Sequence, residues 1–326
     1  MILLRLLKNN RIGGAIFISL LLLGQWMQSI ISPPAVTEWN TMPFYHLIFE
    51  PLQNLPHLSV IVALLIFSAM AILLIRLNVK YFLIADRSFM PASMFILIAG
   101  SFPELHQLSP VLIASLFVLI TIIILFNAQE DKPDSFRIFN ASLVLGLGSM
   151  FYLNLIWFIP IIWITILIIR PMRWRELVYP LVVFGMIGLF MLTYYWVILD
   201  DTARLGELLL DNLSIPSAYT VYKNSWLIFT GYLLLLIIIA SVYALQSAYA
   251  RKNIIRKLYK VFLAIFIFTI LFDLIITKFR IESFYILALP TAYLLSNFFH
   301  RKKSHWMHEL LMWVWVGIIV YIHVKG

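Results

Sequence analysis

SPVLIASLFVLITIIILFN, residues 109–127, decides the fold class. It carries no charge, and its apolar positions run on without the alternation of a lipid-facing barrel strand. A stretch of this length matches the roughly 20 residues a helix needs to cross a bilayer. Working outward, similar runs of membrane length or nearly so fall at 12–32, 58–76, 88–102, 137–153, 155–170, 177–199, 224–247, 258–277, 282–299 and 309–324. The expected fold is an all-α polytopic membrane protein with about 11 transmembrane helices. Ten is the alternative, because the runs at 88–102, 137–153 and 155–170 are short or closely joined. The first run lacks a small-residue cleavage site and meets Pro33-Pro34, so it reads as a retained span.

Composition agrees. Of 326 residues, 63% are hydrophobic and 12% charged, against about 45–50% and about 25% in an ordinary soluble domain. Mean hydropathy is +0.96. Such a chain has too little polar surface for a cytoplasmic enzyme, a disulfide scaffold or a disordered protein. Eleven spans would use most of it, leaving one integral membrane domain over 1–326 with outer loops 33–57 and 200–223 and no separate soluble domain. The absence of cysteine removes disulfides, thiolate catalysis and cysteine-ligated metals.

The net charge of +9 is mostly an orientation signal. With the N-terminus cytoplasmic, the inner segments hold Arg5, Lys8 and Arg11, then Arg76, Lys80 and Arg87, and then Lys132 and Arg137. They continue with Arg170, Arg173 and Arg175, with Arg251 to Lys260, and with Arg301 to Lys303. The outer segments hold only Arg204, Lys223, Lys278, Arg280 and Lys325. This alternation follows the positive-inside rule and places the C-terminus outside. The cations face anionic lipid, and no nucleic-acid partner is expected.

The outer side collects acids, so candidate chemistry lies there. Glu38, in SPPAVTEWNTMP, is a candidate general base or ligand for a divalent cation; its bland reading is a solvated loop acid. Beyond it, Phe44 to Leu55 suit a short interfacial helix. Glu104 and His106 sit in the tight loop SFPELHQLSP, either as a positioned site acid with its neighbour or as a helix start capped by Ser101. Asp273 is the acid well inside a span, where ionisable groups face a partner or a wet cavity. Lys278 and Arg280 break the positive-inside pattern, and binding a lipid phosphate would explain them. Asp200, Asp201, Glu207 and Asp211 with Arg204 form an acidic outer loop. His300, His305 and His308 read as part of a basic anchor rather than a metal site. No P-loop, H-E-x-x-H or G-x-S-x-G occurs, and no cofactor is identified.

The layout of a first span, an acid-bearing outer loop and KFRIESFYILALPTAYLL (278–295) resembles the integral-membrane C-class glycosyltransferases, which use polyprenyl-phosphate-linked sugars. NVKYFLIADRSFMPASMFILIAGSFPELHQLSP (78–110) looks like their short third helix and its outer turn. The resemblance implies a glycosyltransferase-like helical core, Glu38 and Glu104 as catalytic acids, Lys278 and Arg280 binding lipid phosphate, and Asp273, His106 and Arg204 in support. It departs in using Glu where that class usually has Asp, and in lacking a large C-terminal periplasmic domain. The opening LLRLLKNNR, with FPEL and LSP near the third span, also resembles an uncharacterised family of bacterial multi-pass inner-membrane proteins. The competing expectations are a non-catalytic subunit of an envelope or secretion complex, with a membrane-protein partner, and a lipid or small-molecule transporter.

Overall fold

The computed structural model describes residues 12–34, 42–84, 88–128, 135–213, 224–248, 253–278, 280–300 and 305–325. Among them no strand occurs. The α-helices are α1 (Ile12–Ile31), α2 (Pro43–Ile48), α3 (Glu50–Gln53), α4 (Pro56–Tyr81), α5 (Met90–Ala99), α6 (Pro110–Asn127) and α7 (Ser135–Ser149). They continue as α8 (Ile159–Ile169), α9 (Trp174–Val197), α10 (Thr202–Leu213), α11 (Asn224–Ala248), α12 (Asn253–Phe272), α13 (Phe284–Phe299) and α14 (His305–Lys325). Among the described residues, seven helices are long and apolar enough to cross a membrane: α1, α4, α6, α9, α11, α12 and α14. The four other apolar runs also carry helices, but shorter ones.

Proline marks where several helices begin. Pro43, Pro56, Pro91, Pro110 and Pro160 occupy the first turns of α2, α4, α5, α6 and α8, where the missing N–H costs nothing. At α6, Ser109 supplies the cap by accepting from the Leu112 N–H at 3.2 Å. This corrects the expectation for Ser101, which donates back to the Leu97 carbonyl at the end of α5 instead of opening a helix. The predicted interfacial helix over 44–55 is two short pieces, α2 and α3, interrupted at Phe49 just before Pro51.

The centre of the bundle is the pair α5 and α13. Every residue of both is buried. With ten residues, α5 spans about 15 Å, half of a 30 Å hydrocarbon layer. Its apolar surface is therefore covered by protein rather than lipid, through α1, α4 and α13. Ring contacts tie the layers, with Phe67 on Phe95 at 4.7 Å and Phe262 on Tyr293 at 4.5 Å. Tyrosine hydroxyls reach backbone carbonyls between helices: Tyr293 donates to Leu74 at 2.6 Å and Tyr259 to Leu83 at 3.0 Å. Each such bond gives a buried phenol its partner without introducing a charge.

These contacts sort helix ends into two faces. One gathers the end of α1, the start of α4, the 100–109 loop, the start of α13 and the end of α14. The other gathers the end of α4, the end of α6, the start of α7, the end of α8 and the start of α12. Lys80, Arg137, Arg170 and Lys257 belong to the second face.

α6 and α7 approach closely at Gly148. A Cβ there would lie 2.7 Å from Leu155 Cδ1 and 2.8 Å from Phe117 Cβ. Small residues permit this kind of helix contact in membranes. Gly148→Ala is expected to cost about 1–3 kcal/mol by overpacking. Its unfolding midpoint in detergent should fall, and an unchanged midpoint would refute the close approach.

Candidate functional site

The site is built at the start of α13. α12 does not end as a regular helix: residues Asp273–Thr277 form a π-turn, in which the Lys278 N–H donates to the Asp273 carbonyl. Lys278 then sits in the left-handed region at φ 53°, stopping the helix. A 3-10 turn, Ile281–Ser283, leads into α13. The two turns face each other. Asp273 is buried and accepts from Thr277 Oγ1 at 3.0 Å, and Thr277 Oγ1 lies 3.4 Å from Ser283 Oγ. π-turns of this kind recur at functional sites because they redirect side chains within a helix.

Arg280 is exposed beside this knot and makes no ion pair among the described residues, though Glu282 and Tyr152 lie close enough to feel its charge. Lys278, half-buried, sits two residues earlier. Asp273, Arg280 and Ser283 line one end of a cleft of about 110 Å³ between α11, α12 and α13. Its remaining walls are aliphatic and aromatic, apart from Thr230. The exposed walls are almost wholly apolar, so the cleft suits a hydrocarbon chain that carries a polar group only at its tip.

Glu104 lies on a 3-10 turn, Pro103–Leu105, in the loop between α5 and α6. The loop is held from several sides. Tyr285 of α13 donates to the Leu105 carbonyl, Tyr45 of α2 to the Leu108 carbonyl at 2.9 Å, and the Leu108 N–H donates to Ser59 of α4 at 3.3 Å. Phe102 packs against Phe284 at 5.1 Å and Phe229 at 5.0 Å. The fold thus brings the Glu104 loop and the Arg280–Ser283 turn to the same end of α13. Glu38 lies outside the described residues.

His106 has a different place from its sequence neighbour. It is fully buried, stacks on Trp26 at 4.3 Å, and engages both ring nitrogens. Nε2 meets the Gly100 carbonyl at 3.0 Å, which can only accept, so Nε2 carries the proton. Nδ1 is then an acceptor, and Ser29 Oγ donates to it at 2.9 Å. Burial pushes its pKa down to about 3; the bond to Gly100 opposes this, and nearby His323 adds to it. His106 is therefore a neutral clasp between α1 and the 100–109 loop rather than a proton carrier.

Arg204 serves α10, where its N–H donates to Asp201 Oδ1 at 3.0 Å to cap the helix. The acidic stretch after α9, read as a loop from sequence, begins as this amphipathic helix. Leu205 is buried with Met42, Met150, Leu153, Met191 and Tyr195, while Glu207 is exposed. The site residues not anticipated are Thr277, Ser283 and Tyr152. No sequence pattern announces a π-turn, and isolated hydroxyls among apolar residues carry no distinctive spacing. Among the described residues no group of three or more His, Asp or Glu could hold a metal.

No family model matches the chain, and neither a curated protein nor a solved structure matches it.

Proposed function

We propose that this protein is a glycosyltransferase-like membrane protein that handles a polyprenyl-phosphate-linked sugar on the outer face of a bacterial inner membrane. In this reading the chain has 11 spans, the N-terminus and the Lys80–Arg137–Lys257 face are cytoplasmic, and the α13 start lies outside. One observation supports it above the rest: Phe102 and Leu105, flanking Glu104, pack on Phe284 and Tyr285, four and five residues beyond Arg280. An acid-bearing loop and a basic turn far apart in sequence are thereby neighbours.

The chemistry follows from those groups. Glu104 or Glu38 accepts the proton of an acceptor hydroxyl, whose oxygen bonds to the anomeric carbon of the sugar. The bond from that carbon to the phosphate oxygen breaks, and polyprenyl phosphate leaves with the electron pair. Lys278 and Arg280 stabilise the phosphate as its charge develops. No metal is needed in this scheme.

Native mass spectrometry of the purified protein with a polyprenyl monophosphate tests the lipid half. Each charge-assisted bond to phosphate contributes about 1.5–3 kcal/mol, so Lys278→Ala with Arg280→Ala should weaken retention at least about tenfold. For the chemical half, Glu104→Gln and Glu38→Gln together should leave lipid retention intact and stop consumption of lipid-linked sugar in cells. Full retention in the double basic variant would remove the assignment.

A further inference from the structure

The cleft between α11, α12 and α13 brings an acid and a base to one end without pairing them. Asp273 and Arg280 both line it, and no ion pair within 4.0 Å joins them. Asp273 is only 5% exposed. Its carboxylate accepts from the Thr277 hydroxyl. A carboxylate has about four acceptor positions, so it retains capacity for a further donor. At membrane depth an acid ionises at low cost only beside a cation, so an arriving ammonium would hold Asp273 in its charged form. Arg280, at the same end, presents a planar set of donors suited to a phosphate. Beyond both, Leu233, Ile237 and Leu287 offer a purely apolar wall.

A ligand complementary to all three features has a hydrocarbon chain, a phosphate, and a cation a few bonds from that phosphate. We infer that the cleft binds an aminophospholipid, with its chain along α11 and α13, its phosphate on Arg280 and its ammonium on Asp273. The inference rests on one element of the reading above, a lipid phosphate at Arg280. It adds a requirement that a polyprenyl monophosphate does not meet, a positive group on the same headgroup.

The ligand class suits the placement of the two charges. A lone phosphate engages Arg280 but gives Asp273 nothing to bind, so it fills only half of the site. A lone amine would leave Arg280 idle and bring like charges together. The zwitterion satisfies both, and its two carbons between phosphate oxygen and nitrogen let the charges reach different residues. Thr277, itself 3.4 Å from the Ser283 hydroxyl, holds the Asp273 carboxylate before the lipid enters, so little ordering is left to the binding step.

Competition by native mass spectrometry on the full-length protein in detergent tests this, using phosphatidylethanolamine and phosphatidylglycerol of identical acyl chains with a polyprenyl monophosphate alongside. The wild type should retain phosphatidylethanolamine about tenfold over phosphatidylglycerol, the ratio expected for one charge-assisted bond. Asp273→Asn keeps an acceptor for Thr277, and should erase that preference while leaving phosphatidylglycerol bound. Arg280→Gln should weaken all three lipids. Equal retention of the two phospholipids by the wild type, or a preference that survives Asp273→Asn, overturns the inference. If Asp273→Asn does not fold, N-acetylated phosphatidylethanolamine on the wild type decides the matter, since removal of the cation alone should cost the same tenfold. Polyprenyl phosphate retained without any amine preference sinks this inference and leaves the transferase reading standing. An amine preference with no polyprenyl phosphate bound has the opposite consequence.

Discussion

Lowering the pH from 7 to 5 is expected to remove about 2 kcal/mol of stability through His106 alone. The folded protein keeps this ring neutral down to a pKa of about 3, because it is buried against Trp26 with both nitrogens engaged. The unfolded chain takes up the proton near pH 6.5. Between those values the unfolded state binds one more proton, so stability falls as the pH falls. The contribution is fully present above about pH 6.5 and is lost progressively towards pH 3. Unfolding in detergent should show this as a steeper pH slope for the wild type than for His106→Gln, which can still donate to the Gly100 carbonyl. Carboxylates titrate in both proteins and cancel in the comparison. Parallel slopes for the two proteins would show that His106 is not held neutral.

Breaking the ion pair on the opposite face should have the largest effect of a single substitution. Glu176 is fully buried in the first turn of α9 and accepts from Arg170 at 2.8 Å and from the Arg173 N–H at 3.1 Å. Arg170 closes α8, so the pair fixes the turn between two helices. Arg170→Met would remove the cation at 2.8 Å from a buried carboxylate, at a cost of about 3–5 kcal/mol. Arg170→Met combined with Glu176→Gln should restore much of that loss, because the burden is a buried charge rather than the missing bond. A double-mutant cycle on the unfolding midpoint measures the coupling. If Arg170→Met costs less than about 1 kcal/mol, the pair is a surface contact rather than a buried clasp.

Each of the eleven apolar runs coincides with a helix, because continuous apolarity is a local property that survives folding unchanged. The boundaries were also legible where proline and Ser109 punctuate them. The candidate site was half visible. Glu104, Asp273 and the Lys278–Arg280 pair stand out as charges in apolar surroundings. Their relation did not, since Tyr285 meets Leu105 across 180 positions of sequence. His106 looked like a partner of Glu104 because the two are adjacent in the chain. Its ring instead closes onto α1, and nothing in SFPELHQLSP reveals that Ser29 and Trp26 will be there.

The helical membrane class follows from the sequence alone, through run length, missing charges and composition; the alternating placement of Lys and Arg supplies the proposed orientation. Those features act through the bilayer or the local backbone, so each segment declares them independently. Only the tertiary structure decided that ten residues of α5 sit buried against α13, that α12 ends in a π-turn, and that Asp273 and Arg280 share one cleft without touching. Such features depend on which helix ends meet, and packing between distant segments sets that. The five outer cations read from the chain thus contain one, Arg280, whose meaning comes from an acid seven residues earlier and the turn that holds them apart.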